Sequence, residues 1–155
     1  EKYNLPEGTP VVSTGGSMGG QSALVYTRYS KRTPVACVAN CPVCDMVFHF
    51  TEREDLPRTI YSAYFNEDCT MNEALEKHSP LHLASQMPKI KYLIFHCDDD
   101  RAVNIDSHSR RFVEAMRALN HDISFVVVPD KGHCNIGDEN YKKFMEFCIN
   151  TIESI

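Results

Sequence analysis

The chain has 155 residues, 43% hydrophobic and 24% charged, which places it among soluble globular domains with one sizeable core. Its formal net charge is -5 and no Arg- or Lys-rich run offsets it, so no nucleic-acid partner is expected. No apolar run is long enough for a membrane span, and the polar start Glu1-Lys2-Tyr3-Asn4 does not read as a secretory signal, so no membrane partner is expected either.

The first element is a short β-branched run, read as a buried strand over residues 10–14. It meets Gly15-Gly16-Ser17-Met18-Gly19-Gly20, which matches the pattern G-x-S-x-G. A serine on a sharp strand-to-helix turn takes a strained backbone. Glycines two before and two after it would spare clashes with the adjoining strand and helix. Such a turn lifts the hydroxyl above the sheet and aims the N–H of Met18 and the helix dipole at an oxyanion. A G-x-x-x-x-G-K-[ST] phosphate loop would need a lysine that this stretch lacks. The glycines also sit at the wrong offsets for G-x-G-x-x-G. On these residues alone, a plain tight turn is the alternative.

A helix is expected over 17–30, then a strand over 34–39 that is apolar enough to be covered on both faces. Residues 40–78 are the least regular part, with short helices expected near Pro57–Phe65 and Met71–Lys77. An insert of that length points to a pocket wall or lid. Its Phe48, Phe50, Tyr61, Tyr64 and Phe65 suggest an aromatic-lined acyl site, or else ordinary packing onto the sheet. Further strands are expected at Lys91–His96 and Ile123–Val128, a helix over 105–119, and a final helix over 138–153. Tyr141, Phe144, Met145, Cys148 and Ile152 form one stripe on that last helix. The alternation β-α-β-(insert)-β-α-β-α predicts one α/β domain over 1–155, a parallel sheet with helices on both faces.

Seven cysteines, an odd number scattered over a chain that needs no staples, favour reduced thiols and a cytoplasmic setting. Cys41-Pro42-Val43-Cys44 is a C-x-x-C without a second pair, and a loop after a buried strand is its simplest reading. A thiol or zinc site built on Cys41, Cys44, Cys97 and Cys134 is a further alternative, and no metal or cofactor is expected.

Ligand sites in open α/β sheets lie at the carboxyl ends of the strands. One strand here ends at Ser17, one in His96-Cys97-Asp98-Asp99-Asp100, and one in Gly132-His133-Cys134. Serine, acid and histidine thus meet at one edge in the order Ser…Asp…His. With Gly15–Gly20, the H-x-x-x-D-x-x-V run His96, Asp100, Val103, the pair Gly132-His133 and Ser79-Pro80-Leu81, the chain resembles the C-terminal half of an α/β-hydrolase. It is nearest the prolyl-oligopeptidase and dienelactone-hydrolase-like branch. Cys97 departs from that pattern, which usually has Gly there.

The resemblance implies a serine hydrolase that cleaves a carboxylic ester or short peptide. Ser17 would be the nucleophile, His133 the base, Asp100 its orienting acid and Met18 N–H an oxyanion donor. Asp98 and Asp99 read as a solvated acidic turn, and the remaining histidines as surface or structural. The resemblance also implies that four further strands, and a second oxyanion donor, lie outside this chain. The strand at 10–14 would then present a bare edge, expected to pair in a homodimer or with a missing N-terminal segment. A non-catalytic or inactive truncated domain, serving in binding or assembly, is the alternative.

Overall fold

Four short apolar runs become four parallel strands, described by a computed structural model over residues 6–155. The Glu1–Asn4 start lies outside the described residues. The strands are β1 (Val12–Gly16), β2 (Ala36–Asn40), β3 (Lys91–Cys97) and β4 (Asp122–Val128), in the spatial order β1-β2-β3-β4. Register is even throughout: Val12 pairs with Ala36, Ala36 with Lys91, and Lys91 with Asp122. Each strand thus begins level with the next, and all four carboxyl ends reach one edge. β1 starts two residues later than expected and runs into the glycines, so the strand itself delivers Ser17 to that edge.

Alternation of side chains builds two cores. Cys37, Ala39, Tyr92 and Ile94 face helix α1 (Met18–Tyr29) and helix α5 (Arg111–Ala118), packing on Leu24, Phe112, Val113 and Met116. Val38, Leu93, Phe95 and Val128 face the opposite side and meet Phe144, Phe147 and Cys148 of α6 (Gly137–Glu153). Helices therefore cover both faces, as a parallel sheet requires. Each large side chain buried this way contributes about 1.5–3 kcal/mol. The stripe expected on α6 is covered at two of its five positions: Phe144 and Cys148 pack, while Tyr141, Met145 and Ile152 are exposed.

The insert is more ordered than its sequence suggests. It folds as α2 (Met46–Glu52), α3 (Leu56–Tyr64) and α4 (Met71–Lys77) around Val43, Met46, Ile60, Leu75 and Val103. α2 was not expected. It starts because the Asp45 carboxylate accepts the Phe48 N–H at 3.0 Å, an N-cap that offsets the β-branched residues following it. α4 carries a capping box, with Thr70 and Glu73 each accepting the other's backbone N–H. The helix expected over 105–119 splits into a π-helical turn, Asp106–Arg110, and α5. The wider turn buries the adjacent side chains of His108 and Ser109 together.

Candidate active site

The serine elbow is strained as its sequence predicts. Ser17 sits at φ 56°, held by its N–H donating to the Asn40 carbonyl at 2.9 Å and its carbonyl accepting the Gln21 N–H at 3.1 Å. Gly15 is sterically required, since a Cβ there would lie 2.1 Å from the Gly19 carbonyl oxygen. The matching argument for Gly19 is wrong for this chain: a Cβ at Gly19 would meet nothing within 4 Å. The tight second glycine is Gly20, whose Cβ would lie 3.1 Å from Pro42. Met18 is the first residue of α1, so its N–H lies at the positive end of the helix beside Ser17.

The three candidate residues come together in one hydrogen-bonded line. Ser17 Oγ lies 2.9 Å from His133 Nε2, and His133 Nδ1 lies 2.7 Å from Asp100 Oδ2. Asp100 is buried, which alone would raise its carboxyl. Hydrogen bonds from His133 and from the N–H groups of Val103 and Ala102 outweigh that and hold it below the usual carboxylate range. An ionised Asp100 fixes the proton on Nδ1 and leaves the Nε2 lone pair facing the Ser17 hydroxyl.

His96, a residue of the acid motif, donates from Nε2 to the Val103 carbonyl at 2.9 Å, while Nδ1 meets Ser109 Oγ at 2.7 Å. Burial pushes its imidazole below the usual range, so it ties the acid turn as a neutral group. Asp98 and Asp99 are exposed but are not merely solvated. Asp98 accepts the Asp130 N–H at 3.0 Å and Asp99 the Gly132 N–H at 2.8 Å, while Asn40 donates to the Cys134 carbonyl at 2.8 Å. These three bonds pin the turn that carries His133. Three consecutive aspartates after a strand were the available signal for two of them.

Cys134 also borders the site, 3.6 Å from His133 Nε2. Its thiol is drawn down to about 7 by a hydrogen bond from Cys41 and by the neighbouring His133, against the opposing effect of burial. The same bond, and then burial, push the Cys41 thiol up. The aromatic wall expected from the insert divides. Phe50 and Tyr64 pack into the insert's own core, and Phe48, Tyr61 and Phe65 are exposed. A cavity of about 310 Å³ lies instead between β1 and α6, bordered by Gly16, Phe95, Cys134, Ile136, Tyr141 and Phe144.

A parallel sheet covered on both faces, with a strained serine between strand and helix, defines the α/β-hydrolase class. A sequence profile of the prolyl oligopeptidase family matches residues 5–153, and the chain belongs to that family of serine hydrolases. Among solved structures, an acylaminoacyl peptidase of Pyrococcus horikoshii is 20% identical with a TM-score of 0.74; the match covers 90% of this chain and 23% of that one. Dipeptidyl peptidase 4 of Porphyromonas gingivalis is 22% identical with a TM-score of 0.70, over 95% of this chain and 20% of the other. A truncated carbohydrate esterase from gut microbiota is 17% identical with a TM-score of 0.77, covering 98% of this chain and 62% of that one. The chain therefore spans less than a quarter of the peptidases it matches. No curated protein sequence matches it. Among the described residues, no helix is long and apolar enough to cross a membrane.

Proposed function

We propose that Ser17, His133 and Asp100 form a catalytic triad that hydrolyses a carboxylic ester or short peptide. The observation that carries this reading is the unbroken line from Ser17 Oγ through His133 to Asp100, at 2.9 and 2.7 Å. Ser17 Oγ attacks the acyl carbon while its proton passes to His133 Nε2. The Asp100 carboxylate stabilises the imidazolium, and the Met18 N–H faces the developing oxyanion. His133 then returns the proton to the departing alcohol or amine, leaving an acyl group on Ser17. Water activated by the same imidazole releases the acid.

The reading carries a small-molecule or peptide substrate and a reducing, cytoplasmic setting, the latter supported by the odd number of cysteines. It also includes a partner strand along β1, from a second copy or a further polypeptide segment. The outer edge of β1, unpaired among the described residues, and the exposed row Tyr141, Met145, Ile149 and Ile152 on α6 support that partner.

A fluorophosphonate probe tests the chemistry. It is expected to form one adduct with the chain and none with Ser17→Ala. Absence of a Ser17-dependent adduct retires the enzymatic reading in favour of a non-catalytic, binding or assembly role. That second reading has one specific support. Among the described residues Met18 N–H is the one oxyanion donor assigned, and removing one donor of such a pair costs about 100- to 1,000-fold in rate.

A further inference from the structure

Among the described residues, three side-chain clusters have the donor types and spacing of a metal site: Cys41–His133–Cys134, Cys41–His96–Asp100 and His49–Glu52–His108, each with ligand atoms within 4.8 Å of one another. Which of them can hold an ion is decided by where each imidazole keeps its proton, because a metal needs a nitrogen lone pair.

His108 fails this test. Its Nδ1 accepts the N–H groups of Cys44 and Asp45, both at 3.2 Å, so its proton is on Nε2, which donates to Glu52 at 3.0 Å. His96 fails in the same way, since its Nε2 donates to the Val103 carbonyl. His133 passes. Its Nδ1–H is committed to Asp100, which leaves the Nε2 lone pair pointing toward Ser17 and Cys134. A carboxylate behind a histidine, fixing the tautomer and raising ligand basicity, is the usual support of a zinc-bound imidazole.

We propose that Cys41, Cys134 and His133 form a binding site for a soft divalent cation of the zinc type, and that the cation competes with Ser17 for His133 Nε2. The spacing agrees. Metal–sulfur bonds of about 2.3 Å and metal–nitrogen bonds of about 2.0–2.1 Å at a tetrahedral angle put sulfur and nitrogen about 3.6 Å apart. Cys134 Sγ lies 3.6 Å from His133 Nε2. Cys41 is buried and forms the floor, and its sulfur accepts the Cys134 N–H at 3.3 Å, which holds the two residues together. Cys134 and His133 are partly open to solvent, which provides the entry path and the fourth coordination position. Two thiolates and one imidazole select zinc or cadmium over magnesium or calcium. On binding, two metal–sulfur bonds and one metal–nitrogen bond form. The two thiol protons go to the buffer, and nothing is oxidised or reduced. The competition with Ser17 rests on the catalytic reading above; the site itself does not.

The test is a titration of the 155-residue chain with Cd2+, followed by thiolate-to-metal charge-transfer absorption. One ion per chain is expected. Cys134→Ser and Cys41→Ser are each expected to weaken binding at least about 100-fold, and Asp100→Asn about 10- to 100-fold. Cys69→Ser, outside the cluster, is expected to leave it unchanged. No absorption band, or a band that survives Cys134→Ser, overturns the proposal. If Cys134→Ser does not melt cooperatively, alkylation of the unmutated chain serves instead. Zn2+ is expected to protect the half-buried Cys134 but not Cys69, and equal alkylation of Cys134 with and without the ion overturns the site. Saturating Cd2+ is also expected to suppress fluorophosphonate labelling of Ser17, and persistent labelling overturns the competition. Failure of the metal-free chain to label retires the hydrolase reading while the absorption band stands.

Discussion

At the carboxyl edge of the sheet, His133 bridges Asp100 and the Ser17 hydroxyl. Under the insert, His108 bridges Glu52 and the backbone N–H groups of Cys44 and Asp45, with His49 donating to the same carboxylate at 2.6 Å. Both are histidine–carboxylate clusters, yet their chemistry differs. In the first, the carboxylate takes Nδ1–H, and the free nitrogen faces a hydroxyl near solvent. In the second, the backbone takes the lone pair, the carboxylate takes the proton, and the ring is fully buried with no acceptor left over. The first arrangement can move a proton; the second can only hold parts of the fold together. It joins α2, the strap after β2 and the π-helical turn, and Glu52 also accepts the Asn104 N–H at 2.9 Å.

The contrast can be tested from both sides. The largest effect is expected from Asp100→Asn, which keeps an acceptor for the Ala102 and Val103 N–H groups but places the wrong tautomer on His133. The rate of Ser17 acylation should fall about 10,000-fold with little change in melting temperature. A change of less than tenfold in stopped-flow labelling would break the assignment. His108→Leu should show the opposite pattern. It removes one of the three partners of Glu52 and leaves the Cys44 and Asp45 N–H groups unmet, at about 1–3 kcal/mol for each unmet donor. Melting should drop by several degrees, while labelling per folded molecule stays within about twofold. If labelling collapses with melting unchanged, the two clusters have been assigned the wrong way round.

Acidification should weaken the chain through both clusters. Burial lowers the imidazoles of His96 and His108. Burial raises the carboxyls of Asp100 and Glu52, but their hydrogen bonds reverse this and leave both lowered. All four groups therefore bind fewer protons folded than unfolded on the acid side. Their contribution is whole above about pH 6.5 and is lost as pH falls through the folded values. Calorimetry should show a melting temperature that declines from about pH 7 downward, and a flat profile to about pH 4.5 would contradict it. The smallest effect is expected at Gly19. Open space around its Cβ and its position in the first turn of α1 make Gly19→Ala neutral to about 1 kcal/mol stabilising by chemical denaturation. Gly15→Ala, whose Cβ would sit against the Gly19 carbonyl, is the disruptive control.

Much of the working edge is legible from residue order because strand ends and turn glycines leave local marks. Gly15, Ser17, Asp100 and His133 each follow an apolar run, and parallel alternation forces those ends together. The buried cluster leaves no such mark. His49, Glu52 and His108 come from elements brought together only by packing, and Glu52 and His108 are 56 residues apart. α2 hides for a related reason. Met46, Val47, Phe48 and Phe50 put apolar side chains on every side of α2, with Phe48 left exposed, so the run lacks the one-sided stripe of a surface helix. The Asp45 cap was its one local sign.

Ser17 and His133 stand 116 residues apart, and they leave opposite outer strands of the sheet. No local turn favours their meeting. The loop-closure entropy of the intervening chain has to be met first by pairing β1 to β2, β2 to β3 and β3 to β4. Reactivity at Ser17 should therefore emerge last during refolding, after helical circular dichroism has recovered. A covalent serine probe added at successive delays would act as a clock for completion of the sheet, timing the closure of its final strand.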